Sequence, residues 1–325
     1  KTIWCNEVER MFRTKGMQGF TLYPGKAYIE INVKIYNRTA FPQTFLWWAN
    51  PAVVVNDHYH SVFPPDVNAV FDHGKRDVSS FPIATGVYYK QDYSAGVDIS
   101  KYKNIPVPTS YMAIQSKYDF VGGYEADVQG GLLHVADHHV SPGKKQWTWG
   151  NGDFGKAWDR NLTDEDGPYI ELMTGMYTDN QPDFSWLQPY EEKSWVQYFM
   201  PYSEVGYVKN ATKDVLLNVE LKEDNAHLIL YTTGVNKDVH LLAKDIQGKI
   251  LLDKIIQISP AEPFTVTFPA TGLKEEDIRI EIRDCEGKVM LTYQADKPEI
   301  KPMPDPAKAA KDPKDIASIE QLFLT

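Results

Sequence analysis

The alternation of apolar and polar residues predicts a chain built mainly from β-strands. Residues 26–36 read KAYIEINVKIY, in which apolar side chains recur at every second position. This period of two is that of a half-buried antiparallel strand. Further strands are predicted at 119–124, 131–137 and 194–200, whereas helical periodicity is weak throughout the first 205 residues.

After Tyr207 the pattern changes to short strands at close intervals. Seven are predicted, at 215–221, 227–232, 239–245, 250–258, 264–268, 278–284 and 289–293. This spacing is typical of immunoglobulin-like sandwiches. We therefore predict an all-β protein, with a large β-domain over residues 1–207 and a small immunoglobulin-like β-sandwich over 208–296.

The last segment, 297–325, differs from both predicted domains. Its first part is rich in Pro, Lys, Asp and Ala, which is typical of a linker. Ile316, Ile319, Leu322 and Phe323 then have the spacing of one apolar helix face. We expect the start of a helical region here. Because the chain begins at Lys1 without a leader-like segment, we also expect it to be a piece of a longer protein.

Charge and cysteine content narrow the classes of function. The formal net charge of −10 argues against binding to a nucleic-acid backbone, which needs a basic surface. No apolar run reaches the length of a membrane span. Cys5 and Cys285 lie far apart and lack the spacing of metal ligands, so we predict free thiols. No cofactor is expected.

The stretch 145–201 holds the strongest functional signal. It contains five of the eight tryptophans, interleaved with acids, amides and glycines. A sugar ring stacks its C–H faces on aromatic rings while its hydroxyls take directional hydrogen bonds, so this mixture indicates a carbohydrate ligand. The alternative is that the aromatics pack an irregular loop. The predicted sugar contacts in this stretch are Trp147, Trp149, Trp158 and Trp186.

Residues 169–201 resemble a signature of the galactose mutarotase (aldose 1-epimerase) superfamily. The matching stretches are YIEL at 169–172, TDNQPDF at 178–184 and LQPYE at 187–191, followed by a last strand. Phrases such as FLWWANPAV and SPGKKQWTWG resemble a bacterial family of unknown function, commonly followed by tetratricopeptide repeats. The resemblance implies a galactose-mutarotase-like supersandwich, here incomplete at its N-terminus, and a carbohydrate ligand.

The same resemblance implies roles for individual residues. It places Glu171 at the superfamily's general base, and Asn50 where the general-acid histidine stands. An amide can bind a ring hydroxyl but cannot shuttle a proton at neutral pH, so simple mutarotation is not favoured. Trp48, Asn50 and Asn180 are the further predicted substrate contacts.

Hydrolysis of a glycoside would need a second carboxyl group. The two carboxyls lie about 5–5.5 Å apart in retaining enzymes and roughly 6.5–9.5 Å apart in inverting ones. We predict Glu171 as base or nucleophile, with Asp159 or Asp164 as its partner. The alternative is that Asp164 and Asp166 only cap loops.

Polar residues nearby offer weaker signals. His138 is predicted to bind substrate through hydrogen bonds, and a metal site with Asp137 is the less favoured alternative. Strand alternation predicts His138 and His139 on opposite faces. Arg160 could hold sugar hydroxyls or the carboxylate of an acidic sugar, or it could be a solvated charge.

Three hypotheses of function follow. The chain is a carbohydrate-active enzyme, a non-catalytic sugar-binding module whose downstream repeats bind protein partners, or a structural or assembly protein with a vestigial pocket. The enzyme predicts a second carboxyl near Glu171, and the assembly role predicts that Trp149 and Trp158 are buried. The resemblance implies a bacterial protein, and its compartment is left open between periplasm and cytoplasm.

Overall fold

The computed structural model describes residues 1–74, 76–176, 185–297, 301–306 and 313–318. The prediction of an all-β protein is confirmed, since 51% of the residues lie in strands and 6% in helices. Within the described part of the chain, no helix has the length and apolarity needed to cross a bilayer.

The larger part of the structure spans residues 2–203. Its strands are β1 (Thr2–Val8), β2 (Lys15–Leu22), β3 (Ile29–Tyr36), β4 (Gln43–Phe45), β5 (Trp48–Ala49), β6 (Ala52–Val54), β7 (Tyr59–Val62), β8 (Ala69–Phe71), β9 (Val78–Ser80), β10 (Ile83–Ala84), β11 (Val87–Tyr88), β12 (Gln91–Asp92), β13 (Val97–Asp98), β14 (Thr109–Ala113), β15 (Phe120–Glu125), β16 (Gly130–Ala136), β17 (Gly143–Thr148), β18 (Tyr169–Gly175), β19 (Ser185–Leu187) and β20 (Glu192–Ser203). Helix α1 (Asp153–Leu162) lies between β17 and β18.

Two antiparallel sheets of this part face each other. The first sheet has the order β1-β2-β3-β20-β16-β15-β7. The second sheet has the order β5-β18-β17-β14-β8-β9, with β6 also paired to β18. Three shorter two-stranded pairs, β4 with β19, β10 with β13 and β11 with β12, lie outside the two sheets.

Strand β3 shows how the alternating pattern becomes a core. Ile31, Val33 and Ile35 are buried in one cluster with Trp195 and Leu187, while the polar residues between them lie on the opposite face. The strand is held on both sides, by β2 and by β20. This confirms the strand predicted within residues 26–36.

The space between the two sheets also holds polar side chains. Gln197 of β20 is fully buried, and its Oε1 accepts hydrogen bonds from the indole nitrogens of Trp47 and Trp195 at 2.9 and 3.1 Å. Its amide nitrogen donates to His134 Nε2 at 2.8 Å and contacts Thr174 Oγ1. Buried polar groups are stable only when paired, so this network ties the first sheet to the second.

The smaller part is a sandwich of two four-stranded sheets. Its strands are β21 (Asn210–Ala211), β22 (Val215–Lys222), β23 (Asn225–Thr232), β24 (Asn236–Asp245), β25 (Ile250–Ile258), β26 (Phe264–Pro269), β27 (Ile278–Arg283) and β28 (Val289–Tyr293). The sheet orders are β21-β22-β23-β26 and β25-β24-β27-β28. All seven strands predicted after Tyr207 are present, with small shifts at their ends. The predicted domain boundaries at 207 and 296 stay predictions.

The two sandwiches are in direct contact. Asn218 Nδ2 donates a hydrogen bond to the Val205 carbonyl at 3.0 Å. The ring of Tyr207 stacks on His60, with centroids 3.8 Å apart. Apolar residues of both parts, including Phe120 and Leu228, belong to one buried cluster.

Helix α1 was not predicted, because helical periodicity is weak throughout the first 205 residues. Its apolar residues Phe154, Trp158 and Leu162 recur at every fourth position, which is a helical spacing, but all three are exposed. Gly155 allows the helix to approach the preceding loop, because a Cβ there would lie 2.2 Å from the Gly150 carbonyl oxygen. The helix was missed because its apolar stripe is short and does not form a core.

Two remaining predictions concern the chain ends and the cysteines. Cys5 and Cys285 are free and exposed, as predicted. Of the predicted C-terminal helix face, Ile316 lies in the described segment 313–318, while Ile319, Leu322 and Phe323 lie outside the described residues.

Candidate functional site

Strands β17 and β18 place Trp147 and Glu171 side by side. The two residues are directly paired in the antiparallel register, so their side chains point to the same face of the second sheet. The residues next to them in each strand, Gln146 and Leu172, are fully buried between the two sheets. Trp147 and Glu171 therefore lie on the outer face, which is turned away from the first sheet.

Glu171 is half-buried at the edge of a cavity. Asn50 Nδ2 donates a hydrogen bond to Glu171 Oε2 at 3.0 Å, so the structure brings these two predicted residues together. The cavity has a volume of about 450 Å³. It is lined by Asn50, Ala52, Val53, Val54, Leu162, Thr163, Asp166, Gly167, Pro168, Tyr169 and Glu171. Asp166 supplies a second carboxyl group to this cavity.

Lys145 is a residue of this face that sequence reasoning missed. It lies two positions before Trp147 in β17 and is buried, with Nζ donating to His73 Nδ1 at 2.8 Å. Burial lowers the pKa of the Lys145 amine to about 8, and the nearby Glu171 carboxylate opposes that shift. The alternation of β17 contained the signal, since residues two apart in a strand share a face.

An aromatic ladder continues this face towards helix α1. Trp147 and Trp149 meet edge to face, with ring centroids 4.6 Å apart and an interplanar angle of 83°. Trp149 and Trp158 are stacked, with centroids 4.9 Å apart and planes within 9° of each other. Trp149 Nε1 donates to the Tyr169 hydroxyl at 3.2 Å. Because Trp158 is 41% exposed, the ladder ends in solvent.

The two aspartates predicted as partners of Glu171 lie elsewhere. Asp159 of helix α1 is buried, and neither carboxylate oxygen has a hydrogen-bond partner among the described residues. Burial raises the pKa of its carboxyl group, against the opposing charge of Arg160. Asp164 is exposed just after the helix, in a left-handed conformation with φ of 52°. Neither residue lines the Glu171 cavity.

The other predicted tryptophans are less central. Trp48 is 39% exposed and pairs with Gly175, on the outer face but four residues along β18 from Glu171. Trp186 is 55% exposed in β19, whose strand partner is β4 rather than the second sheet.

The remaining predicted contacts do not meet Glu171 in the described structure. Arg160 is exposed on helix α1 and does not line the cavity. His138 lies beyond the opposite end of β17, where its Nδ1 is 2.7 Å from Asp119 Oδ1. Asn180 lies outside the described residues.

A known protein family matches almost all of the larger part of the structure. Residues 1–202 match the model of the family described as domain of unknown function DUF5107. The chain belongs to the DUF5107 family. Residues 210–293 of this DUF5107 protein match the model described as the second domain of YphG-like proteins.

The DUF5107 chain is also similar to solved structures. A TPR-domain containing protein from Parabacteroides distasonis shares 22% identity at a TM-score of 0.51, and 62% of this chain matches 32% of that one. A protein from Synechocystis sp. PCC 6803 shares 12% identity at a TM-score of 0.45, over 62% of this chain and 61% of that one. A putative aldose 1-epimerase from Klebsiella pneumoniae shares 11% identity at a TM-score of 0.43, over 62% and 50% of the two chains.

These likenesses concern part of each relative. The chain spans about a third of the Parabacteroides protein and half to three fifths of the other two. The matched part of the Parabacteroides structure has the same fold as the matched part of this chain.

Proposed function

We propose that this DUF5107 protein binds carbohydrate on the outer face of its second sheet, with Glu171 at the centre of the site. The observation that carries the proposal is one juxtaposition. A half-buried carboxylate, held by Asn50, lies directly beside Trp147, whose ring begins a ladder that ends in solvent at Trp158.

The chemistry of a sugar fits both halves of this site. The ring faces of Trp147 and Trp158 offer apolar surfaces for the C–H faces of a pyranose. The Glu171 carboxylate accepts hydrogen bonds from hydroxyls, and charged acceptors form the stronger bonds. Lys145 adds an amine on the same face, whose N–H groups other than the one donated to His73 can bind hydroxyl oxygens. An oligosaccharide could thus contact the cavity and the ladder together.

Hydrolysis of a glycoside is the second candidate function. It is favoured by the position of Asp166, which lines the same cavity as Glu171. In this proposal Asp166 takes the role that the sequence analysis gave to Asp159 or Asp164. Glycosidases need two carboxyl groups, one on each side of the scissile bond. The cavity contains two carboxyl groups.

Binding is tested first, by calorimetry on the glycans that a glycan array identifies for the full chain. We expect Trp147→Ala to lower affinity about tenfold, because a stacked aromatic contributes roughly 0.5–1.5 kcal/mol beyond its buried area. Trp4→Ala is the matched control, since that tryptophan is exposed on β1 of the first sheet. Absence of binding to any glycan, or equal losses for both variants, would contradict the proposed site.

Turnover separates the enzyme from the binding module. Glu171→Gln and Asp166→Asn are compared with Glu192→Gln, an exposed glutamate on the first sheet. If the wild type cleaves a bound glycan and the two site variants bind it without cleavage, hydrolysis is supported. Binding by all four proteins without turnover would identify a sugar-binding module.

Binding to protein partners is a separate proposal. We infer from the sequence resemblance that the protein works together with tetratricopeptide repeats, and the similar Parabacteroides protein is described as TPR-domain containing. A pull-down with the natural full-length protein, with and without any repeat region, tests this. The exposed Trp158 does not fit the pure assembly hypothesis, which predicted its burial.

A further inference from the structure

A turn after β16 gathers three potential metal ligands far from the Glu171 cavity. Asp137, His138 and His139 offer ligand atoms that all lie within 4.8 Å of one another. The two imidazole rings have centroids only 3.9 Å apart. Strand alternation had predicted the two histidines on opposite faces, but β16 ends at Ala136 and the turn brings both rings to one side. That expectation was wrong.

Hydrogen bonds hold this turn in place. The Asp119 carboxylate accepts from the His138 backbone N–H at 2.9 Å, and the Asp137 carboxylate accepts from the His139 backbone N–H at 2.9 Å. The Asp137 carbonyl accepts from the amides of Val140 and Ser141 at 3.0 and 2.8 Å. Asp119 itself is anchored to the sheet, because its carbonyl accepts from the Ala136 N–H at 2.8 Å.

The contact between Asp119 and His138 is the arrangement that supports a metal-bound histidine. Nδ1 of His138 lies 2.7 Å from Asp119 Oδ1, so Nδ1 carries the proton that this carboxylate accepts. Nε2 then keeps its lone pair for a metal ion. Metal-ligating histidines almost always donate their other ring N–H to a carboxylate, carbonyl or water, which orients the ring and makes it more basic.

The donor set selects a class of metal. Two imidazoles and one carboxylate are ligands typical of zinc and similar divalent transition metals. Calcium and magnesium prefer sets of six or more oxygen atoms, which this turn does not offer. Three protein ligands leave one tetrahedral position for water or an anionic group.

A cleft lies beside this turn. Asp119 and Asp137 also line a cavity of about 420 Å³, which Thr212 and Lys213 line from the turn between β21 and β22 of the small sandwich. Asp137 and His139 are exposed, so an ion can reach them. None of these residues lines the Glu171 cavity.

We propose that Asp137, His138 and His139 form a binding site for one divalent transition metal ion of the zinc class, with Asp119 as the positioning residue for His138. The site is independent of the carbohydrate proposal. It gives the larger sandwich a second functional centre, at the cleft beside the small one.

The test is calorimetric titration of Zn²⁺ into the full, untagged chain after treatment with a chelator and dialysis, with Co²⁺ absorption spectra to report coordination geometry. We expect one Zn²⁺ per chain and the visible absorption of tetrahedral Co²⁺. His139→Ala should abolish saturable binding, and this exposed residue can be changed without disturbing a core. Asp119→Asn should weaken binding about 10- to 100-fold, as loss of a supporting carboxylate does.

His240→Ala is the matched control. His240 Nε2 lies 2.7 Å from Asp253 Oδ1, so it forms a comparable pair, and no second histidine joins it in the metal-ligand groups found among the described residues. Its loss should leave the affinity for Zn²⁺ unchanged. The proposal is overturned if the wild type shows no saturable Zn²⁺ binding, or if His139→Ala binds Zn²⁺ as the wild type does.

Discussion

Lys144 and Lys145 are neighbours in β17 and lie on opposite faces of the second sheet. Both are buried, and burial lowers the pKa of each amine to about 8. Lys144 points between the two sheets, and its Nζ has no hydrogen-bond partner among the described residues. Lys145 lies on the outer face, where Nζ contacts His73. The charge of Glu171 there partly opposes the lowering of the Lys145 pKa.

The difference shows that a lowered pKa is not by itself a sign of function. Perturbed titrating groups cluster at functional sites, but burial in a core produces the same shift. The two lysines differ in the residues that surround them. Lys145 shares its face with Glu171 and Trp147, whereas Lys144 belongs to a polar interior that holds the sheets together. We therefore expect substitutions on the inner face to change the stability of the protein. Substitutions on the outer face should change its affinity for carbohydrate.

The largest expected effect is on the inner face, at Gln197. Gln197→Leu removes the partner of two indole N–H groups and of His134 at once. Each buried group left unpaired costs about 1–3 kcal/mol, so we expect the free energy of unfolding to fall by roughly 3–5 kcal/mol. Urea denaturation at neutral pH measures this. Gln257→Leu, at an exposed strand position, is the control and should change it by less than about 0.5 kcal/mol.

Unchanged stability of Gln197→Leu would mean that the inner polar network is not structural. The distinction between the two faces would then fail. Carbohydrate affinity of the folded variant is expected to match that of the wild type, because Gln197 does not reach the outer face.

The next effect compares the two lysines through pH. Each amine has a folded pKa of about 8, below its ordinary value of 10.5. Between these values the unfolded chain binds more protons than the folded one, so stability rises with pH over that window and each lysine contributes about 3 kcal/mol to the rise. Lys144→Met should remove its share of the rise and should raise stability at neutral pH. Denaturant titrations at pH 7.5 and 10 measure both.

Lys145→Met sharpens the comparison. It should flatten the same pH dependence, and it alone should lower the affinity for carbohydrate, since Lys144 faces away from the site. Equal affinity for Lys144→Met and Lys145→Met, both weaker than wild type, would contradict the assignment of faces.

The acid side of the stability curve has the same origin, since burial again lowers the pKa of a base. Burial lowers the pKa of the His134 imidazole to about 4, from an ordinary value of 6.5. The unfolded chain takes up the proton first as pH falls, so stability present above pH 6.5 is lost between about pH 6.5 and 4. His134→Gln should reduce the slope of stability in this window. Gln257→Leu, which changes no titrating group, should leave the slope unchanged.

The smallest effect is expected at the solvent end of the ladder. Trp158→Ala removes the ring stacked on Trp149 and should lower carbohydrate affinity by roughly 0.5–1.5 kcal/mol, with little change in stability because the side chain is 41% exposed. Calorimetry on a bound oligosaccharide checks this. A longer glycan should lose more than a monosaccharide, and no loss for either would place the ladder outside the site.

Much of the strand content follows from the sequence alone. The apolar positions of 26–36 predicted β3 and its buried face, and all seven strands of the small sandwich were predicted from their spacing. The position of Glu171 on a strand followed from the resemblance to the mutarotase superfamily. These features depend on local alternation or on a short motif, and both can be seen in neighbouring residues.

The make-up of the candidate sites was decided by tertiary structure. Alternation fixes which residues of one strand share a face, but it does not say which distant segments come to lie beside them. Thus Asp166 lines the Glu171 cavity in place of Asp159 or Asp164, because helix α1 turns Asp159 inward. His138 and His139 share a side because β16 ends at Ala136. Such contacts join segments that only the folded chain brings together.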